Sequence, residues 1–183
     1  MKMLLFFSLL LLGGVTNLYS QNPKNDGAVP QMTLKEHKIV YSAKISVDSS
    51  RDKATLFVNA EEWYKKNFET ADNTLIIDNS GDGTVSGTGI IHTKKHDQKA
   101  DPGDVFFTID IQVVRGMYTY MVHDIYGFNK TGKFYYSDMY NEEQYPTDKP
   151  IWPGPYRHSI LNDMNGKITG MIAELKREMK SQK

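Results

Sequence analysis

No cysteine occurs anywhere in the 183 residues. That excludes a disulfide framework, a thiolate metal site and a cysteine nucleophile. It also excludes a lipid anchor that needs a cysteine at the cleavage site. Charge of one sign is lacking too: 22 Lys and Arg face 22 Asp and Glu. No electrostatic footprint for nucleic acid or an anionic membrane follows from such a balance. Only one long apolar run exists, with no internal repeat and no low-complexity tract. That run is Met3 to Leu12, behind Lys2 and ahead of Leu18-Tyr19-Ser20-Gln21. The layout is that of a secretory signal peptide, with cleavage expected near Ser20. It is shorter than the roughly 20 apolar residues that span a bilayer.

The sequence is therefore read as an exported protein, periplasmic or secreted from a bacterium, with no integral membrane segment after cleavage. Small extracellular eukaryotic domains usually carry disulfides, and this chain has none. Removing residues 1–20 takes one lysine and no acid, which leaves 21 basic and 22 acidic residues. The remaining 163 residues suit one domain with one core. Residues 21–33 are polar and rich in Asn, Gly and Pro, and are expected to be a flexible mature N-terminus. The domain is expected to run from 34 to 183.

Ile39, Tyr41, Ala43, Ile45 and Val47 alternate with polar residues, the period of a half-buried strand. Ser49-Ser50 offers a helix cap. A helix is expected from about Arg51 to Phe68, with Leu56, Phe57, Ala60, Trp63, Tyr64 and Phe68 as its apolar stripe. Four strands should follow: Thr74 to Asp78, Thr84 to Thr93, Val105 to Val114 and Met117 to Tyr126. Arg115-Gly116 is a two-residue hairpin signal. Residues 127–156 hold Gly132, Pro146, Pro150, Pro153 and Pro155 and are read as an irregular aromatic loop. A last helix is expected over His158 to Lys180, weakened by Gly166 and Gly170. The fold class is α+β, in the order β-α-β-β-β-β-α. One antiparallel sheet of about five strands should carry two helices on a single face.

With Arg115-Gly116 as the turn, Val113 lies opposite Tyr118, Ile111 opposite Tyr120 and Ile109 opposite Val122. Those residues share the covered face. The open face collects Thr108, Asp110, Gln112, Thr119, Met121 and His123, with Ser42, Lys44, Ser46, Thr84, Ser86, Thr88 and His92 from other strands. It is polar and rich in Ser and Thr. A solvated face accounts for that; a ligand or partner surface is the alternative.

Ala60-Glu61-Glu62-Trp63-Tyr64, the run Gly81-Asp82-Gly83-Thr84-Val85-Ser86-Gly87-Thr88-Gly89, and the hairpin Ile109 to Asp124 occur in this element order. Together they resemble a family of bacterial exported proteins, a domain of unknown function with a fold like the TATA-box-binding protein. The resemblance covers roughly Lys38 to Ile125, with the last helix as a weaker match. It implies the fold and the compartment and transfers no catalytic residue. It does not imply DNA binding: a minor-groove binder needs basic and wedge residues on the open face, where Asp110, Ser and Thr stand beside Lys44.

Several motifs have plainer readings beside the functional ones. Asp78, Ser80 and Asp82 with Gly83 match the start of a calcium loop, but Gly89 stands where the bidentate Glu belongs. A tight turn explains the same residues. His92 and His96 have i,i+4 spacing, which gathers metal ligands only on a helix. His123 and Asp110 are expected to be diagonal neighbours, and a His oriented by Asp can act as a base. Ser86 or Thr108 would then be the nominal nucleophile. Phe134, Tyr135, Tyr136, Tyr140, Tyr145, Trp152 and Tyr156 could form a contact surface or stack on sugar rings. They could equally pack over a sheet edge. No cofactor and no metal is expected.

Three functional readings follow. The first is a non-enzymatic exported module that binds a protein, small molecule or glycan of the cell envelope, and no nucleic acid. Its contact residues would be Tyr135, Tyr136, Tyr140, Trp152, Tyr156, Asp110, His123 and His92. The second is a small hydrolase-like enzyme centred on His123 and Asp110. The third is an accessory subunit of an envelope assembly that docks through a strand edge.

Overall fold

Runs of period two become strands, and the long amphipathic runs become helices. The computed structural model describes residues 31–68, 75–92, 104–129, 132–145 and 154–181. The expected signal peptide and residues 21–30 lie outside the described residues. The chain forms β1 (Leu34–Lys35), β2 (Lys38–Ile39), β3 (Tyr41–Ser46), α1 (Lys53–Phe68), β4 (Leu75–Asn79) and β5 (Thr84–Ile91). It continues through β6 (Val105–Val114), β7 (Met117–Asn129), β8 (Gly132–Tyr135), α2 (Tyr136–Gln144) and α3 (Gly154–Glu178). The main sheet is antiparallel, in the order β3-β7-β6-β5-β4. The short β8 also pairs β7, beyond the end of β3. β1 and β2 form a separate two-stranded ribbon.

The expected hairpin register holds: Val113 pairs Tyr118, Ile111 pairs Tyr120 and Ile109 pairs Val122. Gly116 takes a φ of 70° in the turn, a backbone that suits glycine. Val105, Phe107, Ile109, Ile111 and Val113 are fully buried, as are Tyr118 and Val122. Against them pack Leu56, Ala60, Trp63, Tyr64 and Phe68 of α1 and Ile160, Leu161, Met164, Ile168 and Leu175 of α3. The final turn of α3 is closed from α1. Asn59 donates to the carbonyls of Glu178 and Ser181, at 3.2 and 3.3 Å. Orphan carbonyls at a helix end need such partners.

Three expectations are corrected. The cap of α1 is Asp52 rather than Ser49 or Ser50: its Oδ1 accepts from the Thr55 amide at 2.7 Å. That hydrogen bond first, and the nearby Arg115 charge after it, hold the Asp52 carboxyl below its ordinary value. The packed chain begins earlier than Leu34, since Met32 is buried and its amide donates to Tyr140 Oη at 3.0 Å. Residues 127–156 are not one irregular loop: they hold the end of β7, all of β8 and α2, and the start of α3. The prolines that suggested a loop begin at Pro146, past the end of α2. Tyr136, Met139 and Tyr140 recur at helical spacing and are buried, so α2 has a core-facing stripe. Asp138 in its first turn complements the helix dipole.

Gly166 and Gly170 sit inside α3, exposed, with open space where a Cβ would project. Gly166→Ala and Gly170→Ala should each raise stability by about 0.5–1 kcal/mol. Urea unfolding checks this; a lowered midpoint in either variant contradicts the open geometry.

Candidate binding face of the sheet

β7 carries one residue more than β6 needs. Thr108 pairs His123, but Phe106 pairs Tyr126, so a bulge falls at Asp124, whose φ is 49°. Aspartate tolerates this left-handed backbone better than most residues. The bulge keeps Ile125 on the covered side and turns Tyr126 and Phe128 to the open side with His123. It also places Asp124 beside the His123 ring.

A polar row results. His123 Nε2 lies 2.9 Å from Asp110 Oδ2, and its Nδ1 lies 2.9 Å from Asp124 Oδ2. Ser86 Oγ donates to Asp110 Oδ1. Lys38 Nζ reaches Asp124 Oδ1 at 3.3 Å. The row thus ties β5, β6, β7 and β2 together. Burial alone would raise the Asp124 pKa. Hydrogen bonds from His123 and Lys38, with their charges, overcome it and hold the carboxyl below its ordinary 3.8.

The expected contact of His123 with Asp110 is present, yet its surroundings are those of a cross-link. A general base needs a ring nitrogen free to take the nucleophile's proton. Here each nitrogen faces a carboxylate. Ser86 hydrogen-bonds to Asp110, so the order is Ser-Asp-His-Asp, where a catalytic triad places His between Ser and Asp.

Two further features flank the row. Towards the Arg115-Gly116 turn lies an open trough of about 430 Å³, lined by Ser42, Lys44, Thr84, Gln112, Thr119 and Met121. Thr84 Oγ1 and Gln112 Oε1 are 3.0 Å apart, and Gln112 Nε2 donates to the Asp82 carbonyl at 2.7 Å. Towards the other end of the strands stands an aromatic cluster. Phe106 and Tyr126 stack at 5.1 Å, and Phe128 meets both edge-on. Tyr135 of β8 packs against Tyr126 at 6.1 Å. Lys133 Nζ sits 3.6 Å above the Tyr126 ring. Phe128 is 49% exposed and Tyr135 40%.

Among the described residues, Tyr135 is the predicted aromatic contact that reaches this face. Tyr136 and Tyr140 are buried in the core, and Tyr156 packs against it half-buried. Trp152 lies outside the described residues. His92 is exposed at the end of β5, 3.0 Å from Asp104. It is four residues past Thr88, which pairs Thr108, so it lies away from His123. Phe106, Tyr126 and Phe128 were not singled out from the sequence. Phe106 falls out of phase with the buried Val105 and Phe107, which was the available signal.

The calcium-like segment is the turn between β4 and β5. Asn79 Nδ2 donates to Asp82 Oδ2 at 2.7 Å, Lys53 donates to the Gly81 carbonyl, and Gly83 adopts a φ of 78°. A strand follows it, as expected. Among the described residues no three His, Asp or Glu side chains gather as a metal site. No helix among them is long and apolar enough to cross a membrane. His96 lies outside the described residues.

Residues 41–127 match the family described as "Domain of unknown function (DUF4468) with TBP-like fold". The resemblance read from the sequence is thus borne out over that segment as to family and fold. No curated protein matches the chain. Two solved structures are similar to it. One is a TBP-like protein from Parabacteroides distasonis, 14% identical, with a TM-score of 0.67, covering 83% of this chain and 99% of its own. The other is a DUF4468 family protein from Bacteroides ovatus, 14% identical, with a TM-score of 0.62, covering 86% of this chain and 93% of its own. At such identity the likeness establishes the fold.

Proposed function

We propose that the chain is an exported, non-enzymatic binding module that holds its ligand on the open face of the sheet. The carrying observation is the aromatic cluster of half-buried Phe106 and Tyr126 with exposed Phe128 and Tyr135, beside a polar row whose groups already satisfy one another. Contiguous exposed apolar patches mark interaction sites more than scattered apolar residues do. Nothing in the geometry favours the hydrolase-like reading, for the reasons given above. Of the two ends of the sheet, β4 has five residues and a register shift between Leu75 and Ile77, the kind of short, bulged edge that resists pairing. The other, β3, is a regular strand of six residues and is the edge a strand-pairing partner would have to use.

Export rests on Lys2 and the Met3–Leu12 run. Fractionation of producing cells should place the chain outside the cytoplasm, with a mature N-terminus near Gln21. A cytoplasmic protein retaining Met1 overturns export. The binding reading is tested by immobilising residues 21–183 and challenging them with the envelope fraction of those cells. The double variant Phe128→Ala/Tyr135→Ala, at exposed positions, is the control. A component of any chemistry held by the wild type and lost by the variant supports the reading. Equal retention by both, or none, overturns it.

A further inference from the structure

We infer that the open face takes a neutral, hydroxyl-rich chain, an oligosaccharide, laid along β6 and β7 with a sugar ring stacked on Phe128, beside Tyr135, whose ring already carries the Lys133 ammonium at 4.9 Å. This rests on the binding-module reading above. Four observations narrow the ligand. The first is the exposed rings: an electron-rich aromatic face seeks a partner with weakly positive C–H groups on a flat side. A pyranose offers that side and carries hydroxyls around its rim.

The second is the chemistry of the rest of the face. Thr108 and Thr119 present hydroxyls that both donate and accept, and Gln112, bonded to Thr84 and the Asp82 carbonyl, keeps a second amide N–H. Sugar hydroxyls have the same dual character.

The third is charge. Asp110 and Asp124 flank His123, Asp124 also meets Lys38, and Lys133 lies over Tyr126. With Lys44 in the trough, two carboxylates and three lysines are spread over the face, so it holds neither a purely basic track for a phosphate chain nor a purely acidic one for a polycation. Nucleic acid would meet two carboxylates on a chain with no net charge. A peptide adding to a sheet pairs with edge backbone, whereas this surface offers side chains alone.

The fourth is shape. Phe106 to Gln112 is seven residues of β6, roughly 20 Å over six strand rises. The trough beyond is shallow and open, unlike the pockets that bury most of a small ligand. A single ring would leave most of the surface uncovered; a chain of rings would not.

The test is native electrophoresis of residues 21–183 through gels containing amylopectin, galactomannan, xyloglucan or mixed-linkage β-glucan. The wild type, Phe128→Ala/Tyr135→Ala and the distant α3 variant Glu174→Ala are run together. Retardation of the wild type and of Glu174→Ala by at least one polysaccharide, weakened about tenfold in the double variant, is expected. Retardation by none of the four overturns the inference, as does retardation that the double variant retains. Should the gels be negative while the double variant still loses an envelope component, the oligosaccharide falls and the binding module stands. Concentration-dependent dimers in sedimentation that the double variant abolishes would also overturn the inference, with a second copy as the occupant.

Discussion

Arg157→Ala will lower stability by about 2–3 kcal/mol in urea unfolding at neutral pH, near the low end for breaking one side of a buried pair. Arg157 is buried at the start of α3, and its Nε donates to Glu143 Oε2 at 2.7 Å. A second guanidinium nitrogen reaches the same oxygen at 2.5 Å, and Glu142 stands 3.7 Å away. His158 Nε2 takes the other Glu143 oxygen at 2.9 Å. The cluster clamps the end of α2 to the start of α3. Removing the guanidinium leaves Glu143 largely out of water with His158 as its remaining partner among these contacts. The loss lies below the deeply buried range because Glu143 keeps some solvent access.

The pH dependence of that loss has a definite sign. Burial alone would raise the Glu143 pKa; hydrogen bonds and charge from Arg157 and His158 hold it below its ordinary 4.5. A carboxyl with a depressed folded pKa stabilises the protein above its unfolded pKa and loses that contribution as pH falls through the folded value. In the variant the Arg157 share of that depression is gone, so less stability is lost as the carboxyl protonates. The gap between wild type and Arg157→Ala should therefore narrow below about pH 4.5. Glu143→Gln keeps a partner for Arg157 and should cost less than Arg157→Ala, with a flatter profile. A gap that widens in acid sinks this account.

How far the sequence carried the reading depends on how local each signal was. The β6–β7 register follows from Arg115-Gly116 and strict alternation, and it placed His123 diagonal to Asp110 correctly. The same alternation stopped at Asp124, where one extra residue shifts the phase, and nothing in His123-Asp124-Ile125 announces a bulge. Phe128 and Tyr135 were therefore never assigned to the open face. α2 was hidden by the prolines beyond it, although the spacing of Tyr136, Met139 and Tyr140 was already helical. The α1 cap was misplaced because Ser49, Ser50 and Asp52 are all competent caps, and tertiary ties choose among them: Val47 donates to the Gly116 carbonyl, and Gly116 donates to that of Arg51. The Arg157–Glu143 clamp joins two helices, and no one-dimensional pattern reports such a pairing.

Gly87→Ala will cost about 3 kcal/mol, the upper end for overpacking a tight core, though the same substitution at Gly166 or Gly170 stabilises. Gly87 lies on the covered face of β5, where a Cβ would stand 2.1 Å from Tyr64 Oη and 2.3 Å from Tyr64 Cζ. Real atoms do not approach so closely, and the ring has little room to retreat. Tyr64 is fully buried, packs against Phe68 at 5.6 Å and donates its hydroxyl to the Thr88 carbonyl at 2.6 Å. Burial pushes that hydroxyl's pKa up to about 12. Displacing the ring also breaks the Thr88 bond, worth about 1 kcal/mol. The Gly87-Thr88-Gly89 run therefore has a packing reason: β5 lies flat under Tyr64 and, at Gly89, against the Phe107 ring. A double-mutant cycle separates this clash from a general weakening of the strand. Tyr64→Leu removes the ring that the added methyl would strike, so the two losses should sum to more than the double variant's loss. Strict additivity would mean that Gly87 matters to the strand alone and that Tyr64 is not what forbids a side chain there.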